Sequence, residues 1–254
     1  MKLFFKTMGE GQPLLILHGL FGSGDNWQTL ARFYAEDFQV YLIDQRNHGH
    51  SPHTSDHSYE LMAHDLEELV ESEGLTDFHL LGHSMGGKTA MKFASENGYL
   101  IDKMIIADMA PKSYPVHHQA ILHALTSADL DALGSRGNVA KHLSLSIEDE
   151  GVKQFLLKNL YWKEKGKLAW RFNVPVLNET IGQIVEETDQ QISLTDTLFI
   201  RGGKSDYILD EDEAALNHYF PNYQLATIPE AGHWLHAEAP ETFYAISRTY
   251  LIDK

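Results

Sequence analysis

The segment Phe78-His79-Leu80-Leu81-Gly82-His83-Ser84-Met85-Gly86-Gly87 limits what this chain can fold into more than any other. An apolar run of strand length passes through G-x-S-x-G directly into a helical pattern. A serine at so sharp a strand-to-helix turn exposes its hydroxyl on a strained backbone, and Gly82 and Gly86 are the small neighbours that leave room for it. A strand that runs into a helix rejoins its sheet by a crossover, so the motif predicts parallel strands with helices on their faces. The rest of the chain agrees. Residues 14–17, 40–43, 78–81, 104–107, 197–200 and 224–228 read as strands, several of them apolar on successive residues, as strands covered on both faces are. Residues 26–34, 59–73, 85–96, 211–219 and 240–251 read as the intervening helices.

One region breaks this alternation. Between Tyr114 and Asp189 no strand is evident, while residues 117–128, 138–145 and 148–160 carry helical patterns. A helical insertion at the carboxyl edge of such a sheet lies over the crevice where these folds bind ligands. The expected organisation is a core in two parts, residues 1–113 and 191–254, interrupted by a helical cap at 114–190.

Charge and composition narrow the function. The 254 residues hold 20 Lys+Arg against 36 Asp+Glu, a net charge of −16 that repels nucleic acid and anionic membranes alike. Nucleic acid is therefore not an expected partner. Without cysteine there is no disulfide, no thiolate metal site and no cysteine nucleophile. The histidines, among them His117, His118, His123 and His236, form no H-E-x-x-H pattern, so neither a metal nor a cofactor is expected. The first residues hold an apolar run of three, too short for a signal peptide, and no stretch nears the roughly 20 apolar residues of a membrane span. The expected compartment is the cytoplasm.

Ser84 is the expected nucleophile. An acyl-transfer site also needs two N–H donors for an oxyanion, and the backbone amides of Met85, after the serine, and Leu20, in the turn His18-Gly19-Leu20-Phe21-Gly22, are the candidates. His18 is read as shaping that turn through a hydrogen bond. Leu20 and Phe21 would wall an acyl pocket. The base belongs on a late loop, which points to His233 in Ala231-Gly232-His233-Trp234. For the acid, Asp108 and Asp206 each follow a strand, and only one can hold the imidazole. Cap aromatics such as Trp170, with Trp234 beside the base, suggest apolar acyl groups. Lys88 and Arg171 are the cations that would favour an anionic thioester.

With these residues in place, the sequence resembles the α/β-hydrolase superfamily, and within it the YbfF-type bacterial esterases, to which animal abhydrolase-domain-11 proteins are similar. The resemblance runs over essentially the whole chain and is carried by the stretches at 18–23, 44–49, 82–88, 170–177 and 231–238. It implies an eight-stranded, mostly parallel sheet with a helical cap, and hydrolysis of carboxylic esters of short to medium chain, with acyl-CoA thioesters as a further class. It also implies that the acid is Asp108, although this sequence keeps Asp206 where such proteins commonly have none. A C–C bond hydrolase or perhydrolase on the same three residues is the first rival reading, and a ligand-binding protein without turnover the second.

Overall fold

Strand Gln12–Leu17 shows why the apolar runs become a buried sheet. Leu14 and Ile16 pack on one face and Leu15 and Leu17 on the other, all four with 0–1% of their surface exposed. The computed structural model describes residues 1–116 and 118–253. In chain order its elements are β1 (Phe4–Met8), β2 (Gln12–Leu17), α1 (Gln28–Tyr34), β3 (Phe38–Asp44), α2 (Tyr59–Glu73), β4 (Phe78–His83), α3 (Met85–Asn97) and β5 (Ile101–Ala107). There follow α4 (Gln119–Thr126), α5 (Leu130–Leu133), α6 (Arg136–Leu143), α7 (Glu150–Lys158), β6 (Leu160–Glu164), β7 (Lys167–Trp170) and α8 (Val174–Val185). The chain ends with β8 (Asp196–Gly202), α9 (Glu213–Tyr219), β9 (Tyr223–Ile228), α10 (Leu235–Glu238) and α11 (Pro240–Ile252).

Among the described residues the main sheet has seven strands, ordered β1-β3-β2-β4-β5-β8-β9, where the resemblance implied eight. Only β1 is antiparallel to its neighbour. It escapes a reading by apolar run because it is a half-buried edge strand. α2, α3 and α9 cover one face of the sheet, and α1 and α11 the other.

The stretch between β5 and β8 is not helical throughout, as was expected. β6 and β7 pair as a two-stranded hairpin that turns through Lys165 and Gly166, the latter at φ +82°. Its Leu-Tyr-Trp and Leu-Ala-Trp runs are too short for periodicity to separate strand from helix. The predicted helix at 117–128 begins on His117, outside the described residues. This insertion has its own apolar cluster, into which Phe21 reaches from the sheet domain. Polar ties join the two: the Asn173 N–H donates to the Asn47 carbonyl (2.9 Å), Asn159 Nδ2 to the Phe21 carbonyl (2.9 Å) and the Tyr59 hydroxyl to the Ile184 carbonyl (2.8 Å).

The loop after β3 is fixed by buried charge. Arg46 donates from Nε and Nη2 to the two oxygens of Asp65 at 2.6 and 2.9 Å, and both residues are buried. Removing one partner strands the other in a low dielectric. Asp65→Ala is expected to cost about 3–5 kcal/mol in urea unfolding, and the apolar pair Arg46→Met with Asp65→Leu to recover most of that loss.

Candidate active site

Ser84 sits at φ +54° and ψ −118°, a region L-residues avoid at a cost of about 1–3 kcal/mol. Close backbone approach enforces it. A Cβ on Gly82 would lie 2.3 Å from the Gly86 carbonyl oxygen, and one on Gly86 would lie 2.4 Å from that of Leu17. The Ser84 N–H donates to the Ala107 carbonyl at the end of β5 (3.1 Å), locking the elbow to the sheet.

The loop after β9 brings His233 to the serine. The Ser84 hydroxyl lies 2.9 Å from His233 Nε2, and His233 Nδ1 lies 2.8 Å from Asp108 Oδ2. With Nδ1 protonated, Nε2 is free to accept the serine proton. Asp108 directly follows β5, is fully buried at φ +51° and accepts further bonds from the Gly202 N–H (3.0 Å) and the Ser205 hydroxyl. Asp206 is exposed, and its carboxylate makes no hydrogen bond or ion pair among the described residues.

Four residues that the sequence reading passed over hold His233 in place. Tyr207 stacks on its ring, with centroids 3.7 Å apart and planes at 17°. Ser205 shares its carboxylate. His83 Nε2–H donates to its carbonyl (2.9 Å), and Glu238 accepts the N–H groups of Gly232 and Trp234 on either side of it (2.8 and 3.3 Å). Position was the available signal for Ser205 and Tyr207, which flank Asp206 on the loop already under suspicion.

The turn at 19–22 lies against the serine, for a Cβ on Gly19 would come 3.2 Å from Ser84 Cβ. Met85 opens α3, so its N–H has no intrahelical acceptor. Leu20 belongs to the same turn, where Gly22 N–H bonds back to the Gly19 carbonyl (3.0 Å). Two neutral histidines brace it. His18 donates from Nδ1 to the Gly19 carbonyl (2.8 Å) and accepts the Gln45 N–H at Nε2 (3.0 Å). His48 donates from Nδ1 to the Arg46 carbonyl (2.9 Å) and accepts the Phe21 N–H at Nε2 (3.2 Å). Burial holds His18, His48 and His83 below the ordinary imidazole range, and pushes His57 down to about 4 and His236 to about 3.

The serine opens into a narrow cavity of about 40 Å³, walled by Leu20, Phe21, Phe155 and Trp234 among others. A second cavity of about 340 Å³ shares Phe155 and Trp234 with it and has Lys158 in its wall. Of the five residues expected to bind substrate, Phe21 and Trp234 line the first cavity; Lys88, Trp170 and Arg171 do not. Lys88 is buried under the insertion, where it donates to the carbonyls of Val185 and Glu186, and desolvation brings it down to about 8. Arg171 lies 3.9 Å over the Tyr161 ring with Nη1 3.3 Å from His50 Nδ1, and Trp170 stacks on Phe172. Contacts within the insertion and between it and the sheet claim these three side chains. Among the described residues no three His, Asp or Glu side chains converge as a metal site requires.

Comparison with known proteins agrees with this architecture. The family model described as alpha/beta hydrolase fold matches residues 12–149. The esterase YbfF of Escherichia coli is 37% identical, covering 96% of this chain and 94% of its own. The mouse protein named sn-1-specific diacylglycerol lipase ABHD11 is 34% identical, covering 94% of this chain and 80% of its own. A solved structure titled marine microorganism esterase superposes with a TM-score of 0.96 at 43% identity, covering 98% of this chain and 99% of that one.

The geometry makes two predictions. A fluorophosphonate probe should label the protein on Ser84 and leave Ser84→Ala unlabelled; Asp108→Asn should slow labelling by up to about 10⁴-fold, whereas Asp206→Asn should match wild type. The second concerns acid stability. His57 and His236 stay neutral in the fold below the ordinary 6.5, while the unfolded chain takes up those protons. Their contribution to stability is therefore complete above pH 6.5 and should fall from there toward pH 4 and 3 by about 1.4 kcal/mol per pH unit for each group. Urea titrations across that range should show a shallower fall for His57→Asn.

Proposed function

The chain belongs to the α/β-hydrolase family, and from that premise we propose that it hydrolyses carboxylic esters by serine acyl transfer. The observation that carries this reading is the unbroken line of hydrogen bonds from Ser84 Oγ through His233 to Asp108. His233 takes the Ser84 proton as Oγ attacks the ester carbonyl, and the oxyanion is received by the N–H groups of Leu20 and Met85. The tetrahedral species collapses, the C–O bond to the alcohol breaks, and the alcohol leaves with the proton held by His233. Water, deprotonated by the same imidazole, then attacks the acyl-serine and releases the acid. No cofactor enters this sequence.

The acyl or alcohol portion has two spaces available. The small cavity at Ser84 suits a short group, and the larger one beyond Phe155 and Trp234 suits the rest of a medium chain. Residues 114–190 act as a cap over both, in keeping with the bond from Asn159 to the oxyanion turn. The relatives' names differ in scope: one names diacylglycerol, another only an esterase. Their common ground is the carboxylic ester. Acyl thioesters would undergo the same step, with Lys158 rather than Lys88 or Arg171 as the cation beside the larger cavity.

Steady-state hydrolysis of p-nitrophenyl esters from acetate to laurate tests this. Wild type should turn over the short and medium members, and Ser84→Ala should lose about 10⁴–10⁶-fold in kcat. Phe155→Ala, by joining the two cavities, should raise the ratio of octanoate to acetate kcat/KM several-fold. A folded wild type that hydrolyses none of the series would refute the esterase reading for simple esters.

A further inference from the structure

The charge of this protein is unevenly placed. Residues 153–171 contain Lys153, Lys158, Lys163, Lys165, Lys167 and Arg171, six of the chain's 20 Lys+Arg, but only Glu164 of its 36 acids. They span the end of α7 and the β6–β7 hairpin. Lys158 and the run from Trp162 to Lys167 are exposed. Lys158, Lys163, Lys165 and Lys167 join no ion pair among the described residues, whereas Lys153 pairs with Glu150 and Arg171 is spent on Tyr161 and His50. In the middle stands Trp162, 50% exposed, although its cross-strand partner Leu168 is buried.

We propose that this hairpin is an interfacial anchor that docks the protein on an anionic lipid bilayer. An indole flanked by lysines fits the headgroup region, where the ring takes the apolar side and the lysine stems reach back to the phosphates. The residue types favour a bilayer over an acidic protein. Lysine is depleted at protein–protein interfaces and arginine enriched, and here every free cation is a lysine while the arginine is engaged within the fold. The hairpin follows Lys158 after one residue, and Lys158 and Phe155 wall the larger cavity, which shares Phe155 and Trp234 with the cavity at Ser84. A docked surface would thus deliver lipid esters next to that cavity. This purpose rests on the esterase reading; the docking itself does not.

The test is sedimentation of the full chain with phosphatidylcholine vesicles, with and without added phosphatidylglycerol, at low and high salt. Wild type should bind the anionic vesicles, release at high salt, and show a blue shift of tryptophan emission that Trp162→Phe lacks. The triple variant Lys163→Glu, Lys165→Glu, Lys167→Glu should partition about 100-fold or more weakly, yet hydrolyse p-nitrophenyl acetate in solution as wild type does. Absence of vesicle binding, equal binding to phosphatidylcholine alone, or undiminished binding of the triple variant would overturn the proposal. Lysine-dependent binding to polyglutamate without binding to vesicles would assign the patch to an acidic polypeptide and overturn it too. Because sedimentation needs no turnover, an inactive protein that still binds would separate failure of the esterase reading from failure of this one.

Discussion

A serine held at φ +54° between a strand and a helix is unfavourable by itself, so the surroundings of Ser84 have to over-determine it, and the rest of the site is built from those surroundings. β4 lies between β2 and β5, in register Leu17 with Gly82 and His83 with Ala107. The end of β2 therefore supplies the turn at 19–22, the proposed oxyanion turn, and the end of β5 leads into Asp108. One strand further, the end of β8 gives the Gly202 and Ser205 donors that the buried Asp108 needs, and the loop after β9 gives His233. Each part of the proposed catalytic site comes from the carboxyl end of a neighbouring parallel strand, so the strand order brings together residues remote in sequence.

Burial sets the electrostatics of that assembly. Asp108 is desolvated and relies on the His233 N–H with its other donors. His18, His48 and His83 sit in the same dry region, where the neutral ring is favoured and each hydrogen bond fixes a tautomer. A neutral ring can donate at one nitrogen and accept at the other, which is how His18 and His48 brace both a carbonyl and an N–H of the turn. Asn159 extends the brace into the insertion by bonding the Phe21 carbonyl. The turn at 19–22 is thus held from the core below and from the insertion above.

What the sequence could and could not disclose follows from the range of the forces involved. Contiguous apolar strands and the glycine spacing around Ser84 are local signals, and they point to the parallel sheet and the elbow, while the expectation for His233 rests on its place on a loop after the last strand. The β1 edge strand and the hairpin lack such signals, because each is stabilised by pairing rather than by an apolar run. By residue type and place Asp108 and Asp206 read alike, because both follow strands, and the resemblance alone favours Asp108; in the fold, burial, the bond to His233 and the Gly202 and Ser205 donors distinguish them. Lys88 and Arg171 were drawn toward substrate by their charge, yet carbonyls of the insertion and the Tyr161 ring were nearer. Tyr207 and Glu238 act through a stacked ring and two captured amides, contacts that no spacing rule encodes.

Net charge shows the same limit in another form. A total of −16 argues against anionic surfaces only if the charge is spread evenly, and at physiological ionic strength a surface responds to the charges within about 8 Å. Along the hairpin beside Trp162 the charges are Lys163, Lys165 and Lys167, with Glu164 the one acid in the run. The acidic remainder then orients the molecule by repelling its other faces wherever they come close to a negative surface. A large opposite background does not cancel a local basic patch; it gives the patch a direction.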